Sequence, residues 1–122
     1  MKQIIFTEKA PAAIGPYSQA ILSNDTLYIS GQISLALVEA GATIEDETHQ
    51  VMKNISAILE AANMTFEQVV KCTIFVKDMN NFAKINNVYG EYFTSNPPAR
   101  ETVEVARLPR DVNVEISCIA VM

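Results

Sequence analysis

An α+β domain, a mixed sheet with two helices packed on one of its faces, is predicted by three features of the sequence. Short runs of β-branched and aromatic residues are separated by turn signals. Two longer windows repeat their apolar residues at spacings of three and four. The two kinds of segment interleave in the order βββαβαββ, so strands run into βαβ units and both helices must find one sheet to cover.

Taken in order, residues 3–7 read as a short strand that joins a hairpin made by residues 18–23 and 26–33 around the polar pair Asn24-Asp25. Between residues 45 and 63, Val51, Met52, Ile55, Ile58, Leu59 and Ala62 form one apolar helical stripe, with Thr48 left off it. Residues 69–76 are dense in Val, Ile, Thr and Phe and read as a largely buried strand. Asp78 ends that strand and is placed to cap the segment after it. Phe82, Ile85, Tyr89, Tyr92 and Phe93 then recur at helical spacing until Pro97-Pro98 forbids continuation, and their aromatic face is expected in the core. Strands at 100–106 and 112–121, joined by Arg107-Leu108-Pro109-Arg110-Asp111, close the chain.

A chain of 122 residues is long enough for one real core and too short for separate cofactor and substrate domains, so residues 1–122 are expected to form one domain. The net charge is −5, with the two signs interspersed and no Lys/Arg run, which argues against a phosphate-backbone or anionic-membrane partner. No apolar stretch approaches the roughly 20 residues of a membrane span, and Glu8 follows the first apolar residues too soon for a signal peptide. A cytoplasmic protein is expected. Cys72 and Cys118 sit inside β-branched runs with no partner at metal-ligand spacing, as buried reduced thiols would. With one His and no Trp, the chain offers no His cluster, and it carries no phosphate-cradling Gly-rich loop, G-x-S-x-G, C-x-x-C or H-E-x-x-H motif.

Both sides of several strands are apolar. Ile116, Cys118 and Ala120 alternate with Ser117, Ile119 and Val121. If both helices cover one sheet face, the other needs a partner, so self-association is implied without a subunit number.

Four places are candidates for chemistry. Tyr17, in the turn Gly15-Pro16-Tyr17-Ser18, either aims its phenol at a ligand or packs with its hydroxyl satisfied, and packing is the commoner outcome. Arg100, just after Pro98-Ala99, has a fork suited to a carboxylate, against the plainer reading of a surface pair with Glu101 or Glu104. Glu115 interrupts the last apolar strand, so it either faces solvent or is paired. His49 lies beside the apolar stripe and is most simply solvated.

At these residues the sequence resembles the RidA (YjgF/YER/UK) family, and the resemblance runs essentially end to end. It is carried by residues 10–20 (Ala-Pro-Ala-Ala-Ile-Gly-Pro-Tyr-Ser-Gln-Ala), by Ser30-Gly31-Gln32-Ile33, by residues 70–79 and 98–109, and by residues 114–120. It implies a chorismate-mutase-like subunit that forms a homotrimer through the helix-free sheet faces, with a central β-barrel and sites between subunits. It also implies hydrolysis of reactive 2-enamine and 2-imine acids, such as 2-aminoacrylate, 2-iminopropanoate and 2-iminobutanoate, to 2-oxo acids and ammonia, with no cofactor and no metal. In that resemblance Arg100 grips the substrate carboxylate, Glu115 positions or activates water, and Tyr17 stands at the cleft rim. Ser30, Gly31 and Asn86 line or shape the site.

Thr102 stands where many members carry Cys. Residues 34–43 lack the usual Asp-Pro and Thr-Gly turn, which implies a differently shaped loop, and residues 94–98 are shorter than in some members. Two other readings are a regulatory module of the same fold that binds small carboxylates without turnover, and a ribonuclease, which fits poorly with the acidic balance.

Overall fold

The computed structural model describes residues 1–122. Six strands form one mixed sheet: β1 (Lys2–Ile5), β2 (Ala20–Ser23), β3 (Thr26–Gln32), β4 (Val69–Val76), β5 (Ala99–Glu104) and β6 (Val114–Val121), in the order β1-β2-β3-β6-β4-β5. Only β4 and β5 run parallel, as a crossover through a helix requires. The helices are α1 (Leu35–Glu39), α2 (Ile44–Ala61) and α3 (Phe82–Glu91). The mixed α+β sheet with two main helices agrees with the sequence expectation.

Strand register explains which residues share a face. One cross-strand row runs Ile5, Ala20, Ile29, Cys118, Cys72, Arg100 through all six strands. Every member but Arg100 is buried beneath the helices. The adjacent row, Ile4, Ile21, Tyr28, Ile119, points to the helix-free side, because side chains alternate along a strand. Ile4 is 63% exposed and Tyr28 50% exposed, so this chain alone leaves an apolar stripe uncovered.

Helix α2 begins with Thr43, whose side chain accepts from the Asp46 N–H at 3.2 Å, and Glu45, Asp46 and Glu47 fill its first turn, where negative charge suits the helix dipole. Its buried Val51, Met52, Ile55, Ile58 and Leu59 each contribute about 1.5–3 kcal/mol by leaving water. Thr48, left off the predicted stripe, is fully buried; its hydroxyl donates to the Ile44 carbonyl at 2.7 Å, which removes the cost of burying it.

Several boundaries differ from expectation. β2 starts at Ala20 rather than residue 18, because the chain up to Ser18 follows the preceding loop, and β1 ends at Ile5. The short helix α1 is absent from the sequence expectation: five residues are too few to display a period. α3 stops at Glu91, so Tyr92 and Phe93 pack from beyond its end, with Phe66 5.4 Å from the Tyr92 ring and 5.3 Å from the Phe93 ring. Phe82, expected in the core, is instead 38% exposed at the start of α3. Asp78 caps as expected, accepting from the Asn80 N–H at 2.9 Å.

Candidate functional site

A cavity of about 440 Å³ opens beside the end of β3, lined by Ile14, Tyr17, Ser30, Gly31, Pro109, Arg110 and Glu115, with Ile33 behind them. Its walls are placed by polar side chains that the sequence patterns do not single out. Gln19 is buried, accepts from the Thr7 N–H at 2.8 Å and donates to the carbonyls of Thr7, Ala10 and Pro11, so one amide pins residues 7–11 against the start of β2. From that anchor the chain turns at Gly15, whose φ of +127° only glycine adopts readily. Tyr17 comes next but one, half exposed, its hydroxyl accepting from the Ile14 N–H at 3.3 Å, so its ring lines the cavity instead of the core.

Ser30 and Gly31 fall where β3 slips out of register with β6, between Ile29 and Gln32. The Ser30 hydroxyl donates to the Ser18 carbonyl at 2.6 Å, which ties the bulge to the Tyr17 loop. A side chain at Gly31 would collide with the Glu115 carboxylate, so the absence of a Cβ creates the space that carboxylate occupies. Glu115 has no ion-pair partner, and burial pushes its carboxyl above the usual carboxylate range. Neither simple alternative drawn from the sequence holds for it: the group is partly buried and unpaired. Arg110 lines the cavity, and it and Asp111 have φ of 57° and 56°, two successive non-glycine residues in left-handed backbone. Nothing in the sequence marks Arg110 as lining a cavity.

Arg100 lies elsewhere. It stands on the edge strand β5 at the end of the core-facing row, its guanidinium donating to Asn86 Oδ1 at 2.7 Å. Its Cζ lies 5.0 Å from the Tyr89 ring centre and 5.7 Å from that of Phe82. The surface pairing with Glu101 or Glu104 does not occur: Glu101 takes Lys71 at 3.1 Å and the Thr73 hydroxyl at 2.6 Å, while Glu104 accepts from the Met79 N–H at 2.8 Å. Arg100 is thus a planar cation braced by an amide and two aromatic rings, with no carboxylate on it. Thr102 shares its strand, and the Thr102 hydroxyl is buried without a hydrogen-bond partner.

Tyr17, Ser30, Gly31 and Glu115 therefore gather at one cavity, and Arg100 with Asn86 at another place. Glu115 pairs in register with Phe75, and Phe75 with Val103, all on the helix-free side, whereas Arg100 belongs to the helix-covered side. His49 joins neither group. It is not simply solvated: its Nδ1 lies 2.9 Å from the Tyr92 hydroxyl and its Nε2 3.8 Å from Glu91. No three His, Cys, Asp or Glu side chains come together as a metal-binding group. No helix is long and apolar enough to cross a membrane.

The family model described as "Endoribonuclease L-PSP" matches residues 7–122. The chain belongs to the RidA/YjgF family. A RutC family protein of Pyrococcus horikoshii is 53% identical, covering 98% of this chain and 98% of its own. The Bos taurus protein named 2-iminobutanoate/2-iminopropanoate deaminase is 48% identical over 99% of this chain and 90% of its own. The crystal structure of E. coli TdcF with bound serine superposes with a TM-score of 0.91 at 40% identity, covering 98% of each chain. This RidA/YjgF chain therefore has a relative named for imine deamination, and a structural neighbour of the same fold that holds a small amino acid.

Proposed function

We propose that the protein is a 2-iminobutanoate/2-iminopropanoate deaminase, which hydrolyses reactive 2-enamine and 2-imine acids to 2-oxo acids and ammonia. The observation that carries the reading is Arg100: a guanidinium held in plane, facing no anion, at the open edge of the sheet. Such a fork takes a carboxylate bidentately, and a 2-imino acid always carries one. The name of the bovine relative gives the reaction its class.

In this reading residues 1–122 act as one unit in a homotrimer, and the site is completed between subunits. Support comes from the uncovered row Ile4, Ile21, Tyr28, Ile119 and from the separation of Arg100 and Glu115 onto opposite faces of the sheet. A neighbouring copy laid on the helix-free face brings its own Arg100 edge toward the Glu115 cavity. The substrate carboxylate sits on Arg100, with Asn86 fixing the fork, and C2 lies over the cavity walled by Tyr17, Ser30 and Gly31. Thr102 offers its unpartnered hydroxyl near the anchor.

The enamine first takes a proton at C3 and becomes the iminium, the protonated imine. Glu115 draws a proton from water as the oxygen bonds to C2, and the carbon–nitrogen double bond becomes single. The carbinolamine then collapses: its hydroxyl proton passes to solvent, replacing the one taken up at C3, the carbonyl forms, and the nitrogen departs as ammonia with the proton Glu115 held. A base of raised affinity for protons suits both transfers, and because such imines also hydrolyse unaided, orientation supplies much of the remainder.

A carboxylate-binding module without turnover is a second reading, favoured by the serine in TdcF. A coupled assay separates the two: a dehydratase generates 2-aminoacrylate or 2-iminobutanoate in the presence of wild type, Arg100→Ala or no protein. Acceleration of oxo-acid release by wild type, lost in Arg100→Ala, supports deamination; no acceleration with retained binding of serine supports the module. A ribonuclease is disfavoured by the net charge of −5.

A further inference from the structure

Cys72 and Cys118 stand directly opposite each other on the antiparallel pair β4 and β6, with their sulfurs 3.2 Å apart. Both thiols are free and buried, and the proposed deamination uses neither. Directly opposed residues of antiparallel strands have Cα atoms about 4.5–5.5 Å apart, inside the 4.4–6.8 Å window of a disulfide. A bond between the sulfurs needs about 1 Å of approach. We propose that Cys72 and Cys118 are an oxidative modification site, converted by hydrogen peroxide into an intrachain disulfide that weakens the Arg100 anchor. The weakening of the anchor rests on the carboxylate-binding reading of Arg100; the disulfide does not.

The attacking sulfur is that of Cys72. The hydrogen bond from Cys118 holds its thiol below the ordinary range against the opposing effect of burial, with Tyr89 and the positive charge of Arg100 adding to the lowering. The Cys118 thiol is pushed up by the same contact and by burial. The Cys72 thiolate attacks one peroxide oxygen, the O–O bond breaks, and hydroxide leaves and takes up a proton to become water. Cys118 sulfur then attacks the sulfenic sulfur of Cys72, the S–O bond breaks, and a second water departs with the Cys118 proton. Two electrons pass from the thiols to the peroxide, giving one disulfide and two waters.

The route to Arg100 is short. Cys72 is its register partner on β4, and the Arg100 guanidinium rests over the ring of Tyr89, whose hydroxyl is buried without a hydrogen-bond partner. Drawing the Cys72 sulfur toward Cys118 alters the packing directly beside its register partner Arg100.

The full chain is exposed to graded hydrogen peroxide and followed by intact mass, thiol counting and binding of 2-oxobutanoate. The expected product is a monomeric chain about 2 Da lighter with no free thiol, restored by dithiothreitol. Cys118→Ser is expected to stop at a Cys72 sulfenic acid trapped by dimedone. Persistence of both thiols at a peroxide dose that oxidises the urea-unfolded chain overturns the proposal, as does a disulfide that links two chains. For the coupled effect, oxidised protein is expected to bind 2-oxobutanoate about three- to tenfold more weakly than reduced protein, with Cys72→Ala insensitive to peroxide. Unchanged affinity after complete disulfide formation overturns the link to Arg100. Reduced protein that binds no 2-oxobutanoate at all defeats the functional reading and leaves the disulfide standing.

Discussion

Arg100 and Glu115 lie on opposite faces of one sheet, with β4 between their strands: Arg100 closes the helix-covered row through Cys72, and Glu115 points to the helix-free side beside Phe75. In the proposed function the two therefore reach one substrate from different chains of the assembly. Chains carrying Arg100→Ala and chains carrying Glu115→Gln are therefore expected to be inactive separately and to regain part of the wild-type rate when unfolded together and refolded as a mixture. Size-exclusion chromatography of the mixture checks that assemblies form; a mixture as inactive as its components would mean that each chain uses only its own pair.

Asn86 braces Arg100 without neutralising it. Asn86→Ala is expected to raise KM for the imino acid about three- to tenfold with little change in kcat, the net worth of one ordinary hydrogen bond. Asn86→Asp is expected to be worse than Asn86→Ala, because a carboxylate at that position competes with the substrate for the fork. Steady-state kinetics of the two variants side by side reads the order, and a milder effect of Asp than of Ala counts against Arg100 as the anchor.

Gly31 makes room for Glu115. Gly31→Ala is expected to leave the melting temperature nearly unchanged, since the Glu115 side chain can swing away, and to lower kcat/KM on the order of a hundredfold through loss of that carboxylate's position. Thermal melts and the coupled assay together check this; retained activity would show that Glu115 works from more than one place.

Glu115 is a carboxyl whose proton affinity is raised by burial. Its ionised form does the work, so activity is expected to fall as the pH drops through a value above the ordinary carboxylate range, and the limb should vanish in Glu115→Gln together with most of the rate. Stability moves the other way. A raised folded-state pKa means that the folded chain binds the proton more tightly than the unfolded one, so this group favours folding at low pH and loses that contribution as pH rises. At neutral pH Glu115→Gln is expected to melt slightly higher than wild type, which differential scanning calorimetry at two pH values will show.

Glu47 is buried on α2 and accepts three hydrogen bonds, from the Asn113 N–H at 2.9 Å, the Asn113 side-chain amide at 2.7 Å and the Val114 N–H at 3.3 Å. Glu47→Ala strands all three donors where β6 begins and is expected to cost about 2–4 kcal/mol, with Glu47→Gln costing less because an acceptor remains. Urea denaturation with unchanged slope checks both.

The β-branched run at the end of the chain and the three-and-four spacing on α2 determined a strand, a helix and that helix's buried stripe from the sequence alone, because helical periodicity records which face meets water. The end-to-end motifs likewise determined the family, and composition alone disfavoured nucleic acid as a partner. Contacts between residues far apart in the chain lay beyond such patterns. Gln19 and Glu47 are single polar residues whose partners lie 8–12 and 66–67 positions away, Arg110 gains its place from left-handed backbone, and α1 is too short to repeat. Which face each candidate occupies was settled only by strand register. A shift of one residue would turn Arg100 or Glu115 to the other side of the sheet, and register is set by pairing with other strands, not by the strand's own residues.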